Sequence, residues 1–178
     1  MRNNVGDLLA RRAFLNPHRE ACVDGTRGER LTFAELSERS ARVGNALLAS
    51  GVRPGDRVGL LLMNGPEFVE SFFAVARIGA VVVPLNWRLV ADELTFILAD
   101  SGTRTLLYGE EFADTVAEIQ VPLADGSGTE TRLRVPRLTP DSTIRFELAG
   151  PDETITVEKP LPREYFPWEE NTLGITPE

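Results

Sequence analysis

The 178 residues carry 27 acidic against 19 basic side chains, a net charge of −8, and 42% of them are apolar. That supports one ordinary domain with a real core, or a domain with a substantial appendage, and leaves no basic run to track a phosphate backbone, so nucleic-acid binding is set aside. A single cysteine, Cys22, and a single histidine, His18, exclude an intrachain disulfide and a His/Cys metal cage and suit a reducing cytoplasm; no stretch reads as a secretory signal or a membrane span.

In chain order, Val5, Leu8 and Leu9 recur at helical spacing between Asn4 and about Phe14, and Pro17 prevents that short amphipathic helix from running further. A brief apolar stretch at Ala21 to Val23, a turn at Asp24-Gly25-Thr26-Arg27-Gly28 and a second stretch at Arg30 and Leu31 predict a small β-hairpin. Thr32-Phe33-Ala34-Glu35 is a capping box, with the threonine hydroxyl and glutamate carboxylate placed to satisfy backbone N–H groups of a first helical turn. Phe33, Leu36, Ser40, Val43 and Leu47 then form one stripe, and Gly51 ends the helix.

Arg53-Pro54-Gly55-Asp56 predicts a type II turn, since proline presets φ and glycine supplies the positive φ, leading into an apolar strand at Arg57 to Leu62. Pro66 suits a first helical turn, and Phe68, Val69, Phe72, Val75 and Ala76 are the expected buried stripe of a helix ending near Gly79. The valines of Ala80 to Val83 predict a fully buried strand closed by Pro84. A helix from about Ala91 to Asp100, with Leu94, Ile97 and Leu98 on its apolar face, is stopped by Gly102, and Thr105 to Tyr108 reads as the next strand. This succession predicts an α/β fold with a mostly parallel sheet flanked by helices.

Beyond about Glu118 the pattern changes to short β-branched runs at Arg132 to Val135, Thr143 to Leu148 and Thr154 to Val157, expected as two or three antiparallel strands. Pro160 to Glu178 is proline-spaced and acidic and reads as an irregular tail. The chain therefore divides into an α/β segment, residues 1–118, and a small β-rich appendage with its tail, residues 119–178.

Leu31-Thr32-Phe33-x-Glu35-Leu36, Gly51-Val52-Arg53-Pro54-Gly55-Asp56-Arg57-Val58, Gly79-Ala80-Val81-Val82-Val83-Pro84-Leu85-Asn86-x-Arg88-Leu89, Glu93-Leu94 and Asp100-Ser101-Gly102 occur in this order. Together they resemble the N-terminal subdomain of acyl-CoA synthetases of the AMP-binding, adenylate-forming superfamily, over roughly two thirds of the chain; residues 119–178 are unlike that family. The resemblance implies a reaction in which a carboxylate and ATP, with Mg²⁺, form an acyl-adenylate and coenzyme A then displaces AMP to give a thioester.

The family holds the triphosphate with a loop of the type T-S-G-T-T-G-x-P-K, whose backbone N–H groups and lysine cradle phosphate oxygens. No such loop is present. Gly126-Ser127-Gly128-Thr129-Glu130-Thr131 has no lysine and is flanked by Asp125, so it reads as an ordinary loop, and Lys159, the only lysine, sits in Glu158-Lys159-Pro160 as an exposed strand-end residue. The expectation is a truncated or split homologue in which no catalytic residue and no metal ligand stands out, and to which ATP, Mg²⁺ and coenzyme A do not bind in isolation. The alternatives are a non-catalytic interaction module or a half-enzyme completed in trans, with a protein partner or a second copy on the face that the rest of a ligase would cover.

One binding residue is nominated. Arg88 matches an arginine that in some aryl-CoA ligases of the family contacts the nucleotide phosphate of coenzyme A, a task that suits a permanent charge with forked donors; the plainer reading is a surface arginine or a helix cap. Asn86 is expected to shape its loop, Trp87 to serve either an interface or the core, Asp56 to serve its turn and Cys22 to fill the hairpin; His18 has no catalytic partner in view.

Overall fold

The side chain of Asn4 starts the first helix by accepting the Gly6 N–H at 2.8 Å, and α1 runs over Gly6–Leu15. The structure, a computed structural model, describes residues 4–119, 130–134, 143–149 and 154–160. Of the expected stripe only Leu9 is buried, while Val5 and Leu8 face outward. The reason is a backbone approach: α1 docks through Gly6, where an added Cβ would lie 2.4 Å from the Cα of Arg77 in another helix. Contact that close selects a narrow edge of α1 rather than its widest apolar face.

β1 (Glu20–Val23) and β2 (Arg30–Thr32) pair antiparallel, as the hairpin pattern predicts. Asp24 shapes the turn, its carboxylate accepting the N–H groups of Thr26 and Arg27 at 2.8 and 3.0 Å. Thr32 then serves twice, as the last residue of β2 and as N-cap of α2 (Phe33–Ala49). Its hydroxyl accepts the Glu35 N–H at 3.3 Å and its own N–H donates to the Glu35 carboxylate at 2.8 Å, which completes the capping box.

The Arg53–Asp56 turn is type II as expected. Asp56 N–H donates to the Arg53 carbonyl at 3.0 Å, Gly55 has φ +92°, and the Asp56 carboxylate accepts the Arg53 N–H at 2.7 Å. From it run β3 (Arg57–Leu61), α3 (Pro66–Arg77), β4 (Val81–Pro84), α4 (Ala91–Ser101) and β5 (Thr105–Tyr108). A 3₁₀ turn at Glu110–Phe112 and α5 (Ala113–Glu118) come next, an element with no counterpart among the expectations. β6 (Glu130–Arg134), β7 (Thr143–Ala149) and β8 (Thr154–Pro160) complete the described elements; the tail beyond Pro160 lies outside the described residues.

The larger sheet has the order β4-β3-β5-β6-β7-β8. β4, β3, β5 and β6 are mutually parallel, and β6 to β8 pair antiparallel in succession, so the three late strands extend the sheet of the first segment. Alternation along β3 divides the core. Val58 and Leu60 point to the side of α2 and α3, where they meet Val43, Leu47, Ala74 and Val75. Leu61 points to the other side, with Leu94 and Leu98 of α4 and Phe112, Val116 and Ile119 of the α5 region.

Two expectations are corrected by packing. The valine strand is not fully buried: among the described residues β4 is the edge of the sheet and Val81 is 48% exposed, because an apolar run does not report which strands will flank it. On α3 the deepest residues include Glu70, Ser71 and Ala74, and Val75 is the only member of the expected stripe to be fully buried. α3 is covered by the sheet, by α1 and α2 and by the hairpin, so its phenylalanines and Val69 take half-buried flanking positions.

Replacing Gly6 with alanine is expected to lower unfolding stability by about 1–3 kcal/mol through overpacking against α3. The same change at Gly25, which has open space around its Cα, is expected to stay within about 0.5 kcal/mol, measured by urea unfolding of both variants. In the same assay Thr32→Ala is expected to cost about 1 kcal/mol, the usual worth of an N-cap.

Candidate functional site

In an open parallel sheet, ligands gather beyond the carboxyl ends of the strands, where successive connections leave for opposite faces. Here β3 delivers its chain to α3, on the face that also carries α2, while β4 leads to α4 on the other face. The loops at this end are residues 62–65 after β3, residues 85–90 after β4 and the chain from Gly109 after β5. They are tied to the strands by Leu85 N–H donating to the Leu60 carbonyl at 2.9 Å and Gly109 N–H donating to the Leu61 carbonyl at 3.0 Å.

Arg88 stands in the middle of the second loop and is exposed. The Asn86 carboxamide accepts the Arg88 N–H at 3.1 Å and the Asn86 carbonyl accepts the Leu89 N–H at 3.1 Å, so Asn86 shapes the loop as expected. The Arg88 guanidinium lies over the Trp87 ring, 4.1 Å from its centroid. Trp87 is half-buried against the Leu61, Leu94 and Leu106 cluster, so it belongs to the margin of the core and serves as a rigid shelf for the cation. A guanidinium resting against an aromatic ring keeps its permanent charge and its forked donors, which suit a phosphate or carboxylate.

The helix N-termini beside this loop do not suit a triphosphate. α4 opens with Asp92 and Glu93, and the Glu93 carboxylate already accepts the Val90 N–H at 3.2 Å. α3 opens with Pro66 and Glu67, and both oxygens of Glu67 take the fork of Arg27 at 2.8 Å. Burial opposes ionisation of Glu67, but that fork outweighs it and holds the carboxyl below its ordinary range. Asp24, bound by the backbone N–H and then by the side chain of Arg27, is lowered to about 2. A helix terminus whose dipole is already answered by a carboxylate repels a polyanion rather than cradling it.

The other residues weighed in the sequence fall elsewhere. Asp56 serves its turn, Cys22 packs half-buried in the small hairpin cluster and His18 is exposed. Lys159 lies in β8, and residues 126–129 of the glycine-serine stretch lie outside the described residues. Among the described residues there is no group of three His, Cys, Asp or Glu side chains placed to hold a metal ion, and no helix long and apolar enough to cross a membrane.

Comparison with known proteins extends the resemblance. The family model described as AMP-binding enzyme matches residues 9–164, running past Glu118 through the late strands. A feruloyl-CoA synthase of Amycolatopsis sp is 50% identical over 120 residues, 67% of this chain and 24% of that protein. The long-chain-fatty-acid–CoA ligase FadD13 of Mycobacterium tuberculosis is 40% identical over 128 residues, 72% of this chain and 25% of that one. Among solved structures, the N-terminal domain of FACL13 from Mycobacterium tuberculosis superposes with a TM-score of 0.65 at 29% identity, covering 83% of this chain and 44% of that chain. The anthranilate CoA ligase AuaEII in complex with anthranoyl-AMP gives 0.67 at 32% identity, covering 75% and 25%. The chain thus spans about a quarter of the length of the curated relatives it matches. With the ordered motifs, the parallel sheet and a family model covering most of its length in agreement, this chain belongs to the AMP-binding enzyme family.

Proposed function

We propose that these residues form the opening scaffold of an AMP-forming acid–CoA ligase, whose reaction activates a carboxylic acid as an acyl-adenylate and passes the acyl group to coenzyme A. The observation that carries this reading is the family match over residues 9–164, with relatives whose named activities all join a carboxylic acid to coenzyme A or a carrier protein. The scaffold alone does not make adenylates. It has no lysine-bearing glycine-rich loop, and the two helix N-termini that flank its candidate site are occupied by their own carboxylates. Its contribution to ligand binding is Arg88, which on its Trp87 shelf contacts the nucleotide phosphate of coenzyme A once the rest of a ligase is present. The setting is a reducing cytoplasm, in keeping with one half-buried thiol.

A second reading rests on β4. Among the described residues its outer side is an unpaired edge with Val81 exposed, a ready template for strand addition by a separate chain that carries the nucleotide site, or by another copy.

Calorimetric titration of the 178-residue chain with ATP-Mg²⁺, together with an assay for acid-dependent pyrophosphate release, is expected to show neither binding nor turnover. Pyrophosphate release would overturn the scaffold reading. When residues 1–118 replace the matching stretch of the Amycolatopsis feruloyl-CoA synthase, the chimera is expected to retain thioester formation. Arg88→Ala in it is expected to raise the KM for coenzyme A roughly tenfold, the worth of one charge-assisted contact, with the KM for ATP unchanged.

A further inference from the structure

α2 and α3 pack closely along small residues: an added Cβ at Gly44 would come within 3.2 Å of the Ile78 side chain and 3.5 Å of the Ala74 carbonyl. One turn earlier, in the same seam, lie four polar residues that neither the scaffold nor the candidate site uses. Glu70 is wholly buried and its carboxylate stands 2.7 Å from Nε of Arg39, a contact too misaligned to complete a hydrogen bond. Nη1 of Arg39 donates to Glu29, in the β1–β2 hairpin, at 2.9 Å. The hydroxyls of Ser40 and Ser71, also buried, find no hydrogen-bond partner among the described residues.

One cation thus serves two carboxylates from different elements. With both ionised the buried group carries a net negative charge, and its surroundings add to it. The hairpin brings Asp24 and Glu29, offset by Arg27, and the neutral thiol of Cys22; α3 brings Glu67, which Arg27 already holds; α2 brings Arg39 together with Glu35, whose carboxylate Arg39 also helps to hold. A carboxylate deprived of water and of good hydrogen bonds, sharing its cation with another carboxylate, is best accommodated with a proton on it. We propose that Glu70 binds a proton in the folded chain and that the Glu29–Arg39–Glu70 triad is a proton-operated latch: protonated, it fastens the β1–β2 hairpin to the α2–α3 pair, and ionised, it loosens it.

Burial, in the first place, pushes the Glu70 carboxyl up to about 8, with Arg39 opposing and Glu67 and Glu29 reinforcing the rise. The sign comes from linkage. A carboxyl whose value is raised by folding takes up a proton on closing, so its contribution is complete below the ordinary glutamate value and is lost as the pH climbs towards the raised one. The hairpin is therefore tightest in mild acid and loosens through neutrality. Arg27–Glu67, whose carboxylate is lowered, remains formed throughout this range and acts as the hinge on which the hairpin stays attached.

Hydrogen exchange of the 178-residue chain, corrected for the intrinsic pH dependence of exchange, tests this directly. Protection of the Phe33 and Ala34 amides, which donate to the Arg19 and Pro17 carbonyls and tie the foot of the hairpin to the start of α2, is expected to fall roughly tenfold per pH unit between about pH 5 and 8. Glu70→Gln, which keeps shape and removes the titration, is expected to abolish the hairpin's pH dependence. Level hairpin protection in the parent chain, or an equal fall in the variant, would overturn the latch. The carboxyl carbon resonance of Glu70 in the parent chain decides the matter even where the variant fails to fold: a midpoint between about 7 and 9 supports the proposal, and one near the ordinary glutamate value defeats it.

Discussion

The structure of this segment depends on the burial of β3 on both faces. A strand whose alternate residues are all apolar must be covered twice, and the chain does this with α2 and α3 on one side and α4 with the α5 region on the other. Parallel pairing with β4 and β5 is the result, because each helix has to return the chain to the same end of the sheet before a new strand begins. The loops at the carboxyl ends are then brought to one edge without any contact among themselves being required. Arg88 is positioned by this constraint, and Trp87 and Asn86 only refine its orientation.

The same constraint accounts for the polar seam. Once α3 is pressed against the sheet by its half-buried phenylalanines, its other side must accept α2, α1 and the hairpin together. Close helix contact needs small residues, and Gly44, Ala74 and Gly6 provide them. Close contact also strips water from whatever polar residues lie in line with them, which is how a glutamate becomes wholly buried beside an arginine. Folding thus brings charge into the interior of a layer that is otherwise apolar, and the hairpin is the element whose attachment depends on how that charge is balanced.

Elements governed by local chemistry were legible in the sequence. The Thr32–Glu35 box, the Asp24 turn, the Pro54-Gly55 turn and the helix of Leu94 and Leu98 all form where their residues place them, since each signal acts over three or four neighbours. The nomination of Asn86 as a loop former succeeded for the same reason. The short α5 went unread because six residues offer too little periodicity, and its helical state is supported by Val116 packing into the core beside Phe112. Glu70 went unread because periodicity ranks positions by apolar side chains and skips a glutamate whose cation lies on another helix.

By itself, then, the sequence determined the order and kind of the elements, the turns that join them and the family to which they belong, because caps, turn residues and apolar periods are read within a few residues of where they act. Only the tertiary structure decided that the valine strand is an edge, that α1 docks through Gly6 rather than its leucine face, and that Glu70 is enclosed with Arg39. Each of these depends on which remote surface arrives alongside. Burial and charge pairing are properties of a neighbourhood in space, and a run of residues carries no record of the neighbours that folding will supply.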